Sequence, residues 1–175
     1  MNHHICPVCG FSSLEEAAYS LEGDESFEMC PSCGCEFGYD DFGKTHRELR
    51  KAWIERSVPW SSSSPAPENW DAEKQLKSLA SLPMEQAWIL IESLLHNAGN
   101  KISEAAPGGD IPETWKEFSE FMREGEYELA WDALAQLAEL RELPHVFWMR
   151  MADAAALMGL TRNENFALGK IPQVH

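Results

Sequence analysis

"CPVCGFSSLEEAAYSLEGDESFEMCPSCGC", residues 6–35, decides how the chain begins. Two Cys-Pro-x-Cys-Gly turns lie within it, Cys6-x2-Cys9 and Cys30-x2-Cys33. Four thiolates in two such turns can surround one tetrahedral ion at a Zn–S distance of about 2.3 Å. Pro7 and Pro31 set φ just after the first ligand of each turn. Gly10 and Gly34 follow the second ligand, where the chain curls beneath the sulfur and φ > 0 suits glycine. The spacing therefore predicts a site of Cys6, Cys9, Cys30 and Cys33. Zinc in a closed structural site is the expected occupant. Iron in a rubredoxin-like electron-transfer site is the alternative, because both ions accept four thiolates. Cys35, two residues past a ligand, reads as a partly buried free thiol, with a ligand-swapping or redox role as the alternative. His3 and His4 read as a terminus and not as ligands.

Around the second turn, Phe27 and Met29 alternate with Ser26 and Glu28, and Phe37 and Tyr39 alternate with Glu36 and Gly38. This period of two predicts a short β-hairpin with the knuckle at its tip. A fragment of this size buries too little apolar area to fold alone, and a metal commonly makes up the deficit. Thr45 and Glu48 form a capping box. Leu49, Ala52 and Trp53 follow at helical spacing, giving a helix over 46–56.

The run "CPVCG…LEE…SFEMCPSCGCEFGYDDF…ELRKAWI" resembles a family of small bacterial cysteine-rich, zinc-ribbon-like proteins. Their pattern pairs two CPxCG knuckles with an aromatic-acidic tail and a short helix ending in Trp. The resemblance covers about residues 4–60 and implies a zinc ribbon. Cys35 departs from the pattern.

"SVPWSSSSPAPEN", residues 57–69, holds five serines and three prolines and reads as a linker. The expected organisation is a zinc-ribbon-like domain at 1–60, a linker at 61–70 and a helical domain at 71–175. The expected fold is mixed: a small β zinc ribbon with one helix, linked to an all-α helical bundle. Periodicity places helices at 71–81, 84–97, from Pro112 to 124, 126–142 and 145–158. Their apolar stripes are Ala87, Trp88, Ile91, Leu94 and Leu95, then Trp115, Phe118 and Met122, then Tyr127, Ala130, Trp131, Leu134, Leu137 and Ala138, and last Phe147, Trp148, Met151, Ala154, Ala155 and Met158. "NAGNKISEAAPGGD", 97–110, reads as a loop.

The 175 residues carry a net charge of −15, split −6 before residue 61 and −9 after it. Phosphate backbones repel such a surface, so nucleic acid is not an expected partner. No run of eighteen apolar residues exists, so no membrane span is expected. The start, MNHHICPVCG, has no apolar signal region, so a cytoplasmic location is expected. Paired CxxC turns in that compartment point to metal or redox chemistry and not to disulfides.

Acids recur at helical spacing on two successive helices. Glu113, Glu117, Glu120 and Glu124 lie on the first; Glu128, Asp132 and Glu139 lie on the second, joined at Gly125. Like charges at i,i+4 destabilise a helix by about 0.2–0.5 kcal/mol each. Lys116 and Arg123 offset this only in part. A solvated face is one reading. A docking surface for a basic protein is the other, with Tyr127 as its aromatic anchor.

"WKEFSEFMREGEYELAWDALAQLAEL" resembles the central motif of Maf-type polymorphic-toxin immunity proteins. That pattern has an upstream helix, an acidic helix, a Gly-Glu-Tyr corner (Gly125-Glu126-Tyr127) and a helix opening on Leu129-Ala130, and it covers about residues 84–160. It implies a non-enzymatic cytoplasmic protein that binds and neutralises a cognate bacterial toxin domain, a basic nuclease being one plausible kind. The alternatives are a zinc-ribbon adaptor and, less favoured, a rubredoxin-like electron carrier. No Ser/His or Cys/His pairing, Gly-rich phosphate loop or open metal position is visible. His46, His96 and His145 look isolated.

Overall fold

The computed structural model describes residues 4–105, 113–139 and 142–172. Among these, seven α-helices follow a looped N-terminal segment: α1 (His46–Glu55), α2 (Ala72–Ala80), α3 (Met84–Ala105), α4 (Glu113–Glu124), α5 (Tyr127–Glu139), α6 (His145–Met158) and α7 (Thr161–Gly169). Helix α3 packs on α5 and α6, α4 packs on α5, and α7 packs on α6. Their shared interior is filled by Leu94, Leu95, Leu134, Leu137, Phe147 and Met151, all fully buried. The indole Nε1 of Trp131 donates to the Met151 carbonyl at 2.8 Å, so a buried polar atom is satisfied where α5 meets α6.

Local chemistry explains the helix ends. Thr45 accepts from the Glu48 N–H while Glu48 accepts from the Thr45 N–H, so the expected capping box closes α1. Asp71 caps α2 by accepting from the Lys74 N–H. Gly159 ends α6 in the left-handed region at φ 73°.

The expected β ribbon is not present. Among the described residues no strand forms, and residues 4–45 hold isolated bridges, His4–Leu14, Tyr19–Glu25 and Met29–Glu36, and a short 3-10 turn at Asp40–Phe42. The reason lies in the backbone. Phe27 has φ 57°, which breaks an extended run. The Phe37 N–H and C=O pair with two successive residues, Glu28 and Phe27, so no regular ladder can propagate. The side-chain alternation therefore does not mark a half-buried strand: Phe27 and Met29 are 62% and 60% exposed, and Phe37 alone is in the core. The fold is all-helical with a looped cysteine segment, and the helical-bundle part of the expectation fits.

Two further expectations change. The loop placed at 97–110 is helix as far as Ala105; the start at Pro112 lies outside the described residues. Asn97 and Gly99 carry turn chemistry but serve tertiary contacts. The Asn97 Nδ2 donates to the Gly23 carbonyl at 2.7 Å. A Cβ on Gly99 would lie 3.3 Å from Trp115, so the small residue lets α4 approach. Trp88, assigned to the buried stripe of α3, is half exposed.

The buried cluster takes residues from both sides of 61–70, joining Leu14, Phe37 and Trp53 with Leu94, Leu134 and Phe147. Residues 57–69 are tied down along part of their course. The Ser61 and Ser62 N–H groups donate to the Pro31 carbonyl. Trp60 stacks edge-on against Trp70 and Phe11.

Candidate metal centre and acidic surface

The two knuckles are built alike. In the first, the Cys6 N–H donates to the Phe11 carbonyl and the Gly10 N–H to the Cys6 carbonyl; in the second, Cys30 donates to Cys35 and Gly34 to Cys30. These bonds span 2.8–2.9 Å. Gly10 and Gly34 stand at φ 81° and 79°, the positive φ that the spacing suggested. At Gly10 a side chain is also excluded by space, since a Cβ would sit 2.6 Å from the Gln75 carbonyl oxygen.

The turns bring four sulfurs together. Cys6 and Cys33 Sγ lie 3.8 Å apart, and Cys9 and Cys30 Sγ lie 3.7 Å apart. All four atoms fall within 4.8 Å of one another, and all four residues are buried. A tetrahedron of sulfurs about 2.3 Å from a central ion has edges of about 3.8 Å. A disulfide needs about 2.05 Å, and all five cysteines are free thiols. The donor set thus fits a metal ion, in a zinc-ribbon-like CxxC site. Four protein ligands would fill a tetrahedral shell, so an ion held there would tie the two knuckles together.

The electrostatics agree. Burial pushes the Cys6 thiol well above its ordinary value. Hydrogen bonds from Cys33, Cys6 and Cys9 draw Cys30 far down, while its bond with Cys30 raises Cys33. A dication bound there would offset the cost of burying thiolates. Cys35 stands apart from the four. Burial first, and then the Asp41 and Asp40 carboxylates, keep it a protonated thiol.

A supporting shell, not visible in the spacing, holds the knuckles. The Gln75 Nε2 donates to the Cys9 carbonyl at 3.1 Å and to Ser32 Oγ at 2.9 Å, so one α2 side chain reaches both knuckles. Its Oε1 accepts from Trp70 Nε1 at 2.9 Å. From α1, Arg50 donates to the Val8 and Pro7 carbonyls at 2.6 and 3.0 Å.

Behind the second knuckle sits a buried polar group that the sequence also concealed: Tyr19, Asp41, His46, Arg150 and Asp153. Arg150 is 1% exposed. Its Nη1 donates to Asp153 Oδ2 at 2.7 Å, and its Nη2 donates to the Asp41 carbonyl. The Tyr19 hydroxyl donates to Asp41 Oδ2. The His46 N–H donates to Asp153 Oδ1 at 2.8 Å. His46, which looked isolated, is therefore a core residue that joins the knuckle segment to α6.

The acids of the suggested docking face are all exposed: Glu113, Glu117, Glu120 and Glu124 on α4, and Glu128, Asp132 and Glu139 on α5. Tyr127 is half-buried, and its hydroxyl donates to Glu92 at 3.4 Å. Lys116 pairs with Glu113 at 2.8 Å, and Arg123 with Glu124 and Glu120 at 3.3 and 3.5 Å. The α5 acids are gathered by geometry. Glu128, Asp132 and Glu139 line an open groove of about 390 Å³ against α7, with Trp131 and Phe166 among its walls. Helix α7 was not anticipated, so this groove was not either.

Among known proteins, the chain is similar to the uncharacterized protein YoaQ of Bacillus subtilis, with 38% identity over 39 residues. That stretch is 22% of this chain and 33% of YoaQ, so the match spans about a third of that protein's length. No protein family model matches the chain, and no solved structure does. Among the described residues, no helix is long and apolar enough to cross a membrane.

Proposed function

We propose that the chain is a non-catalytic binding protein, stapled at Cys6, Cys9, Cys30 and Cys33 by a structural zinc ion, that presents its acidic helical face to a basic partner protein. The observation that carries this reading is the α5–α7 groove, where the three carboxylates of Glu128, Asp132 and Glu139 outnumber Arg162 beside aromatic walls. Such a groove suits a lysine or arginine, held by charge at its rim and by the ring faces beneath. The same aromatic edge already takes one cation within the chain, since Lys170 Nζ lies 4.8 Å from the Phe166 ring centre. The α4 acids, only partly offset by Lys116 and Arg123, extend the same charge.

The specific form of the proposal is a cytoplasmic immunity protein that neutralises a cognate toxin domain. It rests on the Gly125-Glu126-Tyr127 motif and its helix order. A nuclease is a suitable target, because its phosphate-binding surface is basic and an acidic inhibitor can cover it. The test is co-expression with the variable C-terminal domain of a secreted protein encoded beside this chain. Protection of the host, lost on reversing Glu128, Asp132 and Glu139 to Lys, supports the reading.

One observation favours a second reading, an adaptor that docks through its second knuckle. Phe27, Met29, Tyr39 and Phe42 are all more than half exposed there, and exposed apolar patches commonly mark interaction sites. Loss of partner binding in Tyr39→Ser and Phe42→Ser, with the acid reversals silent, selects it.

A further inference from the structure

A cavity of about 400 Å³ opens where the first knuckle, α1, α2, α6 and α7 meet. This is within the range of small-molecule sites. Its apolar walls include Ile54, Leu76, Leu157 and Leu168. Five charged or titratable side chains also line it, and their pairing can be followed one by one.

Asp153 is engaged by Arg150 at 2.7 Å and by the His46 backbone N–H at 2.8 Å. Glu164 is engaged by Arg47 at 2.7 Å. Arg50 is left. Its Nε and Nη2 donate to the neutral carbonyls of Val8 and Pro7. Among the described residues, no carboxylate lies within 4 Å of its guanidinium, and its Nη1 makes no hydrogen bond. A chain of net charge −15 thus keeps a half-buried guanidinium without a paired carboxylate beside a cavity with apolar walls. Carbonyls satisfy donors but leave the charge. An oxyanion answers the charge and the free donor together.

We propose that this cavity binds a small anion with an apolar body, its carboxylate or related oxyanion head on Arg50 and its hydrocarbon part against the leucines of α2, α6 and α7. This site is separate from the α5–α7 groove and does not rest on the function proposed above. The competing explanation gives Arg50 to the metal centre, where its charge would balance the thiolates. The two explanations separate by experiment.

The probes are octanoate and octylammonium, which share a chain and differ in head charge, titrated calorimetrically into the zinc-loaded full-length protein. Octanoate is expected to saturate at one per chain, and octylammonium is not expected to occupy the same site. Arg50→Met should abolish octanoate binding. Because Arg50 also holds the first knuckle, the deciding variants are at Ala156, an exposed α6 residue on the cavity wall. Ala156→Glu should weaken octanoate about tenfold and Ala156→Lys should tighten it, because each adds one charge to the wall of the same cavity. Failure of octanoate to saturate, or an affinity indifferent to the charge at residue 156, overturns the proposal. Zinc loss in Arg50→Met together with that indifference assigns Arg50 to the metal centre.

Discussion

Gln75 on α2 donates to the carbonyl of Cys9, one of the four clustered cysteines and 66 residues earlier, across 3.1 Å. The same amide group also holds Ser32 of the second knuckle and accepts from Trp70. Gln75→Leu keeps the bulk and removes all three bonds. Buried polar atoms left without partners cost about 1–3 kcal/mol each, and partial access to water lowers the sum, so a loss of about 3 kcal/mol is expected in urea unfolding. Outer-shell changes of this kind weaken metal binding about 10–100-fold, which a competing chelator reads directly. A variant within about 0.5 kcal/mol of the parent would show that the knuckles do not depend on α2.

Metal content gives a sharper result. Elemental analysis should find one zinc per chain, lost on changing any of Cys6, Cys9, Cys30 or Cys33 to Ser. Cys35→Ser should retain it, because that sulfur lies outside the cluster. Chelation should expose four thiols to a mercurial reagent in one cooperative step. Iron with a visible thiolate absorption would replace the staple with an electron-transfer centre.

The buried group around Arg150 sets an acid limit on stability. Burial alone would raise Asp41, but the His46 hydrogen bond and the Arg150 charge outweigh it and hold this carboxyl well below its usual range. Its folded value lies under its unfolded value of about 3.9. Its stabilisation is therefore complete above that pH and is lost as pH falls toward the folded value. Asp153 runs the other way. Burial outweighs His46 and Arg150 and raises it, so it takes up a proton first and adds no loss on that limb. Denaturant melts between pH 2 and 7 should show Asp41→Asn flattening the acid limb. Arg150→Met leaves two buried carboxylates without their cation and should cost about 3–5 kcal/mol at neutral pH. An acid limb unchanged in Asp41→Asn would remove Asp41 from this role.

Reversal of the groove acids separates docking from solubility. In Glu128→Lys/Asp132→Lys, association with a basic partner should slow, while dissociation changes less. The effect should shrink with added salt, since exposed charges are screened over about 10 Å at 0.1 M. Fold stability should change little, because residues 128 and 132 form a like-charged i,i+4 pair both before and after the reversal. Equal association rates at two salt concentrations would leave these acids as a solvated face.

The cysteine spacing and the longer helices were legible because each is a local signal: two identical turn motifs, or one apolar stripe per helix. The misread parts depend on distant partners. Phe27 to Tyr39 alternates like a hairpin, yet its backbone is spent on a knuckle. Asn97 and Gly99 look like a break in α3, yet they meet Gly23 and Trp115 from inside a helix. Helix α7 buries only Glu164 and Ala167, too little apolar patterning to announce it. Tyr19, Asp41, His46, Arg150 and Asp153 share no motif, and Arg150 sits within a run of apolar residues. Gln75, likewise, is an ordinary polar residue on a short helix until its reach to both knuckles is known.

The bond from Arg150 to the Asp41 carbonyl spans 109 residues, and this separation has a meaning for biosynthesis. At about 5–20 residues per second, roughly 5–20 s pass between translation of Asp41 and translation of its arginine. During that interval the ribosome-bound chain can close its cysteine turns around a metal, since all four are made by residue 33. Asp41 and His46 must meanwhile stay in water. The buried ionic group therefore cannot close before α6 is made, whatever the state of the cysteine turns.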